Sequence, residues 1–134
     1  MAMIFDTSIW VGLASGQISS ESVLKAAAAE QVYISAISLG ELSFGVESCL
    51  DPATRMLRTR YLRSLQQRPV LDVTSLTAST FGILAAFMKQ SGRSPRIRVN
   101  DLWIAAQAIE NDYALLTAKL KDFESLPGLQ VACP

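Results

Sequence analysis

The 134-residue sequence predicts an α/β fold, a three-layer sandwich in which helices flank a mostly parallel central sheet of about five strands. Short apolar segments alternate along the chain with longer segments of helical periodicity. Half of the residues are hydrophobic and 18% are charged, a composition typical of a packed domain rather than a disordered chain. No repeat, low-complexity tract or linker divides the sequence. We therefore expect a single domain over residues 1–134.

The first part of the chain alternates strands and helices. Residues 2–5 predict a short buried strand, and residues 7–14 predict a helix. A second helix is expected over 19–29, since serines at its start are good caps. Residues 31–35 carry the β-branched and aromatic side chains of a strand. A third helix is expected from Ser38 to about residue 49.

The second part continues the same alternation. Asp51-Pro52 begins a helix that extends to about residue 67, and 70–73 predict a short strand. Apolar residues spaced i, i+3, i+4 and i+7 from Phe81 predict an amphipathic helix that ends near Gly92. Ser94-Pro95 indicates a loop.

The last part predicts one further long helix and two strands. Asn100 is a suitable N-cap for a helix that presents apolar residues over 102–109. Residues 113–117 predict a strand, 122–126 a turn of helix, and 129–131 a terminal strand. Strands that alternate with helices in this way are expected to pair in parallel, with both faces of the sheet covered.

The composition excludes several classes of enzyme. The chain contains no His, so Ser-His and Cys-His nucleophile pairs and His-containing zinc sites are absent. Cys49 and Cys133 form no C-x-x-C pattern, which favours a reducing, cytoplasmic environment. Apolar stretches are too short for a membrane span, and the N-terminus lacks the pattern of a signal peptide.

The net charge of zero conceals an uneven distribution. Residues 1–54 carry one basic and six acidic residues, whereas residues 55–134 carry eleven basic and six acidic residues. Any contact with nucleic acid must therefore come from local basic patches. Two such patches are the arginines of 55–68 and the group Arg93, Arg96 and Arg98.

Acidic residues from distant parts of the sequence are expected at one edge of the sheet. Asp6 ends the first strand, Glu41 follows the second, Asp101 opens the helix before the fourth, and Asp122 follows Thr117 at its end. Ligands of open parallel sheets bind at the carboxyl ends of the strands. Clustered carboxylates persist when they hold a cation, and oxygen ligands favour Mg²⁺ or Mn²⁺.

Each acid also has a purely structural interpretation. Asp6 could cap the helix that follows it, Asp101 could complement a helix dipole, and Asp122 could be a surface or capping acid. Glu41 could be an exposed helical residue, although it stands among apolar neighbours where an unpaired carboxylate is costly. The aromatic residues Trp10, Phe44 and Trp103 are typical of a core.

The sequence resembles PIN-domain ribonucleases, and in particular the VapC-type toxins of bacterial toxin–antitoxin pairs. The resemblance spans essentially the whole chain in family order. The segments that carry it are MIFDTS at 3–8, ISAISLGEL at 34–42 with Phe44-Gly45, NDLWIAAQA at 100–108, LLT at 115–117, Asp122-Phe123 and LPGL at 126–129.

The resemblance implies a Mg²⁺-dependent endoribonuclease with a PIN-like fold. Asp6, Glu41 and Asp101 would be its metal-holding and catalytic acids, with Thr7 or Ser8 and Thr117 as polar neighbours. Because no His exists, Glu41 would orient or accept a proton from the attacking water. The resemblance also implies a homodimer and a cognate antitoxin whose tail covers the acidic groove.

Lys119 departs from the family pattern. The family usually has Asp or Asn two residues after the threonine that matches Thr117, and this chain has Lys119 there. Asp122 would then be the fourth carboxylate, or there is none. Lys119 could supply positive charge in place of a second metal ion, or it could point into solvent.

A polyanionic substrate requires basic residues near the acids. Arg93, Arg96 and Arg98 precede Asp101 closely and are the first candidates for RNA contact, with Lys119 as a further one. The alternative is that these arginines lie in a solvated loop. The arginines of 55–68 are better explained as a solvated face or a partner surface.

Two rival functions remain open at this point. One is a PIN-like domain that has lost catalysis and acts by binding a partner or RNA, an interpretation that rests on Lys119. The other is a phosphoacceptor signalling domain, for which only Asp72 is available as the phosphorylated acid. The second leaves Glu41 and Asp101 unexplained.

Overall fold

The computed structural model describes residues 1–27 and 31–134, and the side chains of Arg96 and Ile97 lie outside this description. Within these ranges the chain forms five strands and seven α-helices, and a 3₁₀ helix, Pro95–Arg98, precedes the sixth. In order they are β1 (Ala2–Phe5), α1 (Thr7–Ser15), α2 (Ser20–Ala26), β2 (Gln31–Ser35), α3 (Ala36–Glu47), α4 (Pro52–Gln66), β3 (Val70–Leu71), α5 (Ser75–Gln90), α6 (Val99–Asn111), β4 (Ala114–Leu116), α7 (Leu120–Phe123) and β5 (Val131–Ala132).

The strands form one parallel sheet in the order β3-β2-β1-β4-β5. β1 is central, with Phe5 opposite Ile34 of β2 on one side and opposite Leu116 of β4 on the other. The three strands therefore end at the same level, and the residues that follow them share one edge. The predicted α/β sandwich with a five-stranded parallel sheet is confirmed.

Two hydrophobic cores lie on opposite faces of the sheet. Ile4 points into the first, where it packs with residues of α5, α6 and α7, including Leu84, Leu102 and Phe123. Its neighbours Met3 and Phe5 point into the second core with residues of α1, α2 and α4. This alternation along β1 is the period-2 geometry of a strand, and it produces the three layers.

Several element boundaries differ from the prediction. α3 begins at Ala36 rather than Ser38, because Ser35 caps it by accepting a hydrogen bond from the amide of Ile37. Asn100 lies inside the first turn of α6 rather than at its cap. The last helix and strand are also displaced by a few residues, to α7 and β5. The predicted helix over 19–29 is found as α2, and residues 28–29 lie outside the described ranges.

None of the helices in the described ranges is long and apolar enough to cross a membrane.

Candidate functional site

The carboxyl ends of β1 and β4 bring Asp6 beside Thr117. Because Phe5 pairs with Leu116, the next residue of each strand lies at the same edge. Thr117 Oγ1 donates a hydrogen bond of 2.7 Å to Asp6 Oδ2 across 111 positions of sequence. Asp6 Oδ1 also accepts from the amide of Ile9 at 3.4 Å, which caps α1. Asp6 is 1% exposed, so this carboxylate is held inside the edge of the sheet.

Two hydroxyl groups donate to the two oxygens of Asp6, and backbone amides fix their direction. Ser8 Oγ donates to Oδ1, and Thr117 Oγ1 donates to Oδ2. The amide of Ala118 donates to Ser8 Oγ at 3.1 Å, and the amide of Lys119 donates to Thr117 Oγ1 at 2.9 Å. Since each hydroxyl carries one proton and already accepts from an amide, that proton is directed to Asp6. The arrangement favours the ionised carboxylate.

Burial nevertheless dominates the titration of Asp6. Loss of water around the carboxylate raises its pKa above the ordinary value of 3.8. The hydrogen bonds from Ser8 and Thr117 and the positive charge of Lys119 lower the pKa, while the negative charge of Asp101 raises it. Asp101 and Lys119 therefore lie close enough to Asp6 to act on its charge. A buried acid with a raised pKa at a strand edge is typical of a functional site.

Asp101 belongs to the same edge through the first turn of α6. Lys119 Nζ donates to both of its carboxylate oxygens at 3.2 Å. Arg98 Nε lies 3.7 Å from Asp101 Oδ2. Two cations therefore pair with one carboxylate. Of the two sequence hypotheses for Lys119, a role as a local positive charge agrees with this contact, and a side chain directed only into solvent does not.

The arginines expected to contact RNA differ in their surroundings. Arg98 is largely buried, and its guanidinium lies 5.4 Å from the ring centroid of Phe123. Within the described part of the chain, its Nε and Nη2 have no hydrogen-bond acceptor. Arg93 follows the end of α5 and is half-buried, and the side chain of Arg96 lies outside the description. Arg98 is thus placed to hold Asp101, and RNA contact by these arginines stays a prediction.

Glu41 is oriented by a second hydroxyl pair. Thr7 Oγ1 donates to Glu41 Oε1 at 2.7 Å, and Ser38 Oγ lies 2.7 Å from Thr7 Oγ1. Because the Thr7 proton goes to Glu41, Ser38 is the donor to Thr7. Thr7 begins α1 directly after Asp6, so this pair connects the acid of α3 with the strand edge. Ser38 is fully buried, and its only signal in the sequence is its position one turn before Glu41.

Two cavities meet at Glu41. A cavity of about 600 Å³ lies between α1, α3 and α4, with apolar walls and one arginine. Its lining includes Val11, Leu42, Leu57, Arg58, Tyr61 and Leu62. A second cavity of about 500 Å³ lies between α3 and the start of α6, lined by Glu41, Phe44 and Asn100 among others. Phe44 is 74% exposed, so its expected place in the core is wrong, whereas Trp10 is buried as expected.

The oxygen donors at this edge fit the chemistry of a hard divalent ion. Across the described ranges, no group of three or more His, Cys, Asp or Glu is arranged so that it could hold a metal ion by itself. Mg²⁺, however, keeps several water ligands and needs only one or two carboxylates. Asp6 and Asp101 supply that number. Asp122 lies on α7, and its amide donates a hydrogen bond to the carbonyl of Lys119. Direct ligation of a metal ion by Glu41 or by Asp122 stays a prediction.

Comparison with known proteins identifies the family. Residues 3–129 match the PIN domain family. The chain is 31% identical to Ribonuclease VapC5 of Mycobacterium tuberculosis over 127 residues, which cover 95% of this chain and 89% of that protein. It is 33% identical to Ribonuclease VapC of Rickettsia bellii over 140 aligned positions, covering 98% and 95% of the two chains.

Solved structures agree with the sequence comparison. A chain of the VapBC2 complex of Rickettsia felis, bound to a promoter DNA fragment, superposes with a TM-score of 0.83 at 26% identity, covering 99% of this chain and 98% of that one. A chain of the VapBC-5 complex of Mycobacterium tuberculosis gives a TM-score of 0.80 at 25% identity with the same coverage. The chain described here therefore belongs to the PIN domain family and, within it, to the VapC group.

Proposed function

We propose that this protein is an endoribonuclease toxin that hydrolyses RNA phosphodiester bonds with a water molecule activated by Mg²⁺, with Mn²⁺ as an alternative ion. The observation that carries the proposal is the buried Asp6 carboxylate, each of whose two oxygens accepts a hydrogen bond from a hydroxyl group. Asp101 lies close enough to act on the charge of this carboxylate. The relatives named as ribonucleases support the reaction class.

The acids have different tasks in this proposal. Asp6 and Asp101 would hold the ion, and Glu41 would orient the attacking water or accept its proton, directly or through another water. When bound, Mg²⁺ supplies Lewis acidity that lowers the pKa of a bound water and polarises the phosphoryl group. Thr7 and Ser38 act on Glu41 by fixing the direction of its carboxylate. Thr117 and Ser8 do the same for Asp6.

The substrate approaches a negatively charged edge and therefore needs cations near it. Lys119 is partly exposed beside Asp101, and Arg93 lies at the end of α5. Phe44 presents an exposed ring next to Glu41, where an unstacked base could lie against it. Single-stranded RNA is the form in which bases are available for such a contact.

The proposal includes an antitoxin partner. Structures that resemble this chain are VapBC toxin–antitoxin complexes. The apolar cavity between α1, α3 and α4 is suited to a helical or extended antitoxin segment, and Glu41 is part of its lining. A basic side chain from that segment would pair with the acids and block the site.

The homodimer implied by the family would use a separate surface, for which exposed Leu76 and Ile83 on one face of α5 are available.

The decisive experiment incubates antitoxin-free protein with total RNA in the presence of Mg²⁺ or Mn²⁺, and repeats the reaction with EDTA. We expect Asp6→Asn and Asp101→Asn each to reduce cleavage by on the order of 100-fold or more, since each removes a negative charge needed to hold the ion. Asp112→Asn is the matched control, because Asp112 is an exposed acid whose left-handed backbone suits Asn. Unchanged, EDTA-resistant cleavage by the two site variants would contradict the proposal.

A catalytically impaired PIN-like domain is the second candidate, and the Lys119–Asp101 ion pair is the observation that favours it. Wild-type protein that binds an antitoxin but never cleaves RNA with either ion would select this candidate. The phosphoacceptor alternative loses its support, because Asp72 follows β3 at the outer edge of the sheet and is exposed, two strands away from Asp6.

A further inference from the structure

Lys119 and Arg98 hold Asp101 in different ways. The Arg98 side chain is 14% exposed and lies against the Phe123 ring, so it cannot leave Asp101 without unpacking that ring. The Lys119 side chain is 44% exposed, while the Asp101 side chain is 17% exposed. Lys119 is therefore the more accessible of the two cations paired with Asp101, and its ammonium group has solvent available to it.

The backbone of Lys119 is fixed although its side chain is not. Its amide donates to Thr117 Oγ1 at 2.9 Å, and its carbonyl accepts from the amide of Asp122 at 2.9 Å. The same residue thus supports the hydroxyl bonded to Asp6 and carries an ammonium group on a flexible four-carbon stem. Displacing the ammonium group would leave the supporting hydrogen bonds in place.

The Lys119 ammonium also occupies both oxygens of the carboxylate that the proposed metal would need. Nζ is 3.2 Å from Asp101 Oδ1 and 3.2 Å from Oδ2, so neither oxygen is free of it. A divalent ion at Asp101 would meet a positive charge at the distance of direct contact, and like charges at that separation repel strongly. The ammonium and the metal ion cannot share this carboxylate without cost.

We propose that the Lys119 ammonium is a resident counter-ion of Asp101 that a divalent cation must displace before it binds, so that Lys119 weakens metal binding and sets the metal concentration at which the site fills. This inference rests on the metal dependence in the proposed function. Lys119 is a positioning residue in this scheme. It balances the charge of the acidic edge while no metal is bound and releases Asp101 when the metal enters.

The test measures Mn²⁺ binding to the free protein by the loss of the electron paramagnetic resonance signal of unbound Mn²⁺. We expect Lys119→Met to bind Mn²⁺ about 5- to 10-fold more tightly than wild type, since one ion pair no longer has to be broken. Lys119→Gln should act in the same direction, and Lys119→Arg should keep the affinity low because it keeps the charge. Lys121→Met, an exposed lysine two residues away on α7, should match wild type.

The same titration separates failure of this inference from failure of the proposed function. Equal or weaker Mn²⁺ binding by both Lys119→Met and Lys119→Gln, with cleavage still abolished by EDTA, would overturn this inference alone. Absence of Mn²⁺ binding in every variant, with cleavage that EDTA does not affect, would overturn both. Circular dichroism checks that each variant is folded before titration.

Discussion

At the scale of single residues, Asp6 combines two roles that sequence reasoning treated as alternatives. It caps α1 through the amide of Ile9 and also accepts hydrogen bonds from the hydroxyl groups of Ser8 and Thr117. A carboxylate has two oxygens and about four lone-pair sites, so both roles fit one side chain. The residue types could be predicted from the sequence. The direction of the hydroxyl protons could not, because it depends on the amides of Ala118 and Lys119, and the amide of Ala118 is 110 positions away from Ser8 in the sequence.

The raised pKa of Asp6 predicts how stability depends on pH in the absence of metal. Between its unfolded value of 3.8 and its higher folded value, the folded protein binds more protons than the unfolded chain. Stability contributed by Asp6 therefore falls as pH rises through that window and is recovered on acidification. Asp6→Asn should therefore gain stability relative to wild type as pH rises from about 4 to 7. Urea unfolding of both proteins in EDTA measures this difference in the free energy of unfolding.

Asp51 is the control for this measurement. It caps α4 at the surface, and hydrogen bonds from Thr54 lower its pKa. Its contribution is present above its unfolded pKa and is lost as pH falls through that value toward the lower folded pKa, so the free energy of unfolding of Asp51→Asn relative to wild type should stay nearly constant from pH 7 to about pH 5 and should rise, not fall, on further acidification. A difference for Asp6→Asn that is constant or grows on acidification would show that burial does not control the charge of Asp6.

At the scale of elements, the positions of strands and helices were predictable and their ends were not. The alternation of apolar and amphipathic segments is a local signal, so it gave the order of elements correctly. The start of α3 depends on the Ser35 side chain, which bonds both the amide of Ile37 and the buried Gln107. The start of α6 follows a 3₁₀ helix rather than a side-chain cap, so Asn100 was misleading. Phe44 is apolar yet exposed, and it lines the cavity between α3 and the start of α6, which a local pattern does not reveal.

The packing of α1 predicts opposite effects of the same substitution at two glycines. A Cβ at buried Gly12 would lie 2.6 Å from Ile18 Cγ1 and 3.3 Å from its Cβ, and the β-branched Ile18 cannot move away easily. We expect Gly12→Ala to lower the free energy of unfolding by about 1–3 kcal/mol. Gly82, on the exposed face of α5, has no atom within 4 Å of its added Cβ.

Gly82→Ala should therefore raise the free energy of unfolding by about 0.5–1 kcal/mol, since Gly loses more backbone entropy in a helix than Ala. Urea unfolding of both variants measures the two effects side by side. Equal stability of Gly12→Ala and Gly82→Ala would mean that the Ile18 contact does not constrain α1.

At the scale of the whole molecule, the sheet order explains which parts of the site could be foreseen. Parallel strands bring their carboxyl ends to one edge, so the approach of Asp6 to Thr117 follows from topology alone. The position of Glu41 relative to that edge depends on Thr7 and Ser38, whose pairing needs the packing of α1 against α3. The ion pair of Asp101 likewise depends on tertiary packing that a linear pattern does not contain.

Gln107 connects the layers of the fold and carries the last prediction. It is fully buried on α6, donates through Nε2 to the carbonyl of Leu71 in β3 at 3.0 Å, and accepts from Ser35 Oγ of β2 at 2.5 Å. One side chain therefore ties a helix to the two strands on one side of the sheet. Gln107→Leu leaves these buried partners unsatisfied, and we expect it to lower the free energy of unfolding by about 1–3 kcal/mol.

A double-mutant cycle distinguishes this role from simple loss of packing. Ser35→Ala alone removes the donor to Gln107 Oε1, so the two single variants each leave one partner of the same hydrogen bond unpaired. The double variant leaves neither, and its loss of stability should be smaller than the sum of the two single losses. Faster hydrogen exchange at the amides of β3 in Gln107→Leu should accompany that loss, because the carbonyl of Leu71 no longer anchors the strand to α6. Additive losses with unchanged exchange in β3 would mean that the outer strands are held by the hydrophobic cores alone.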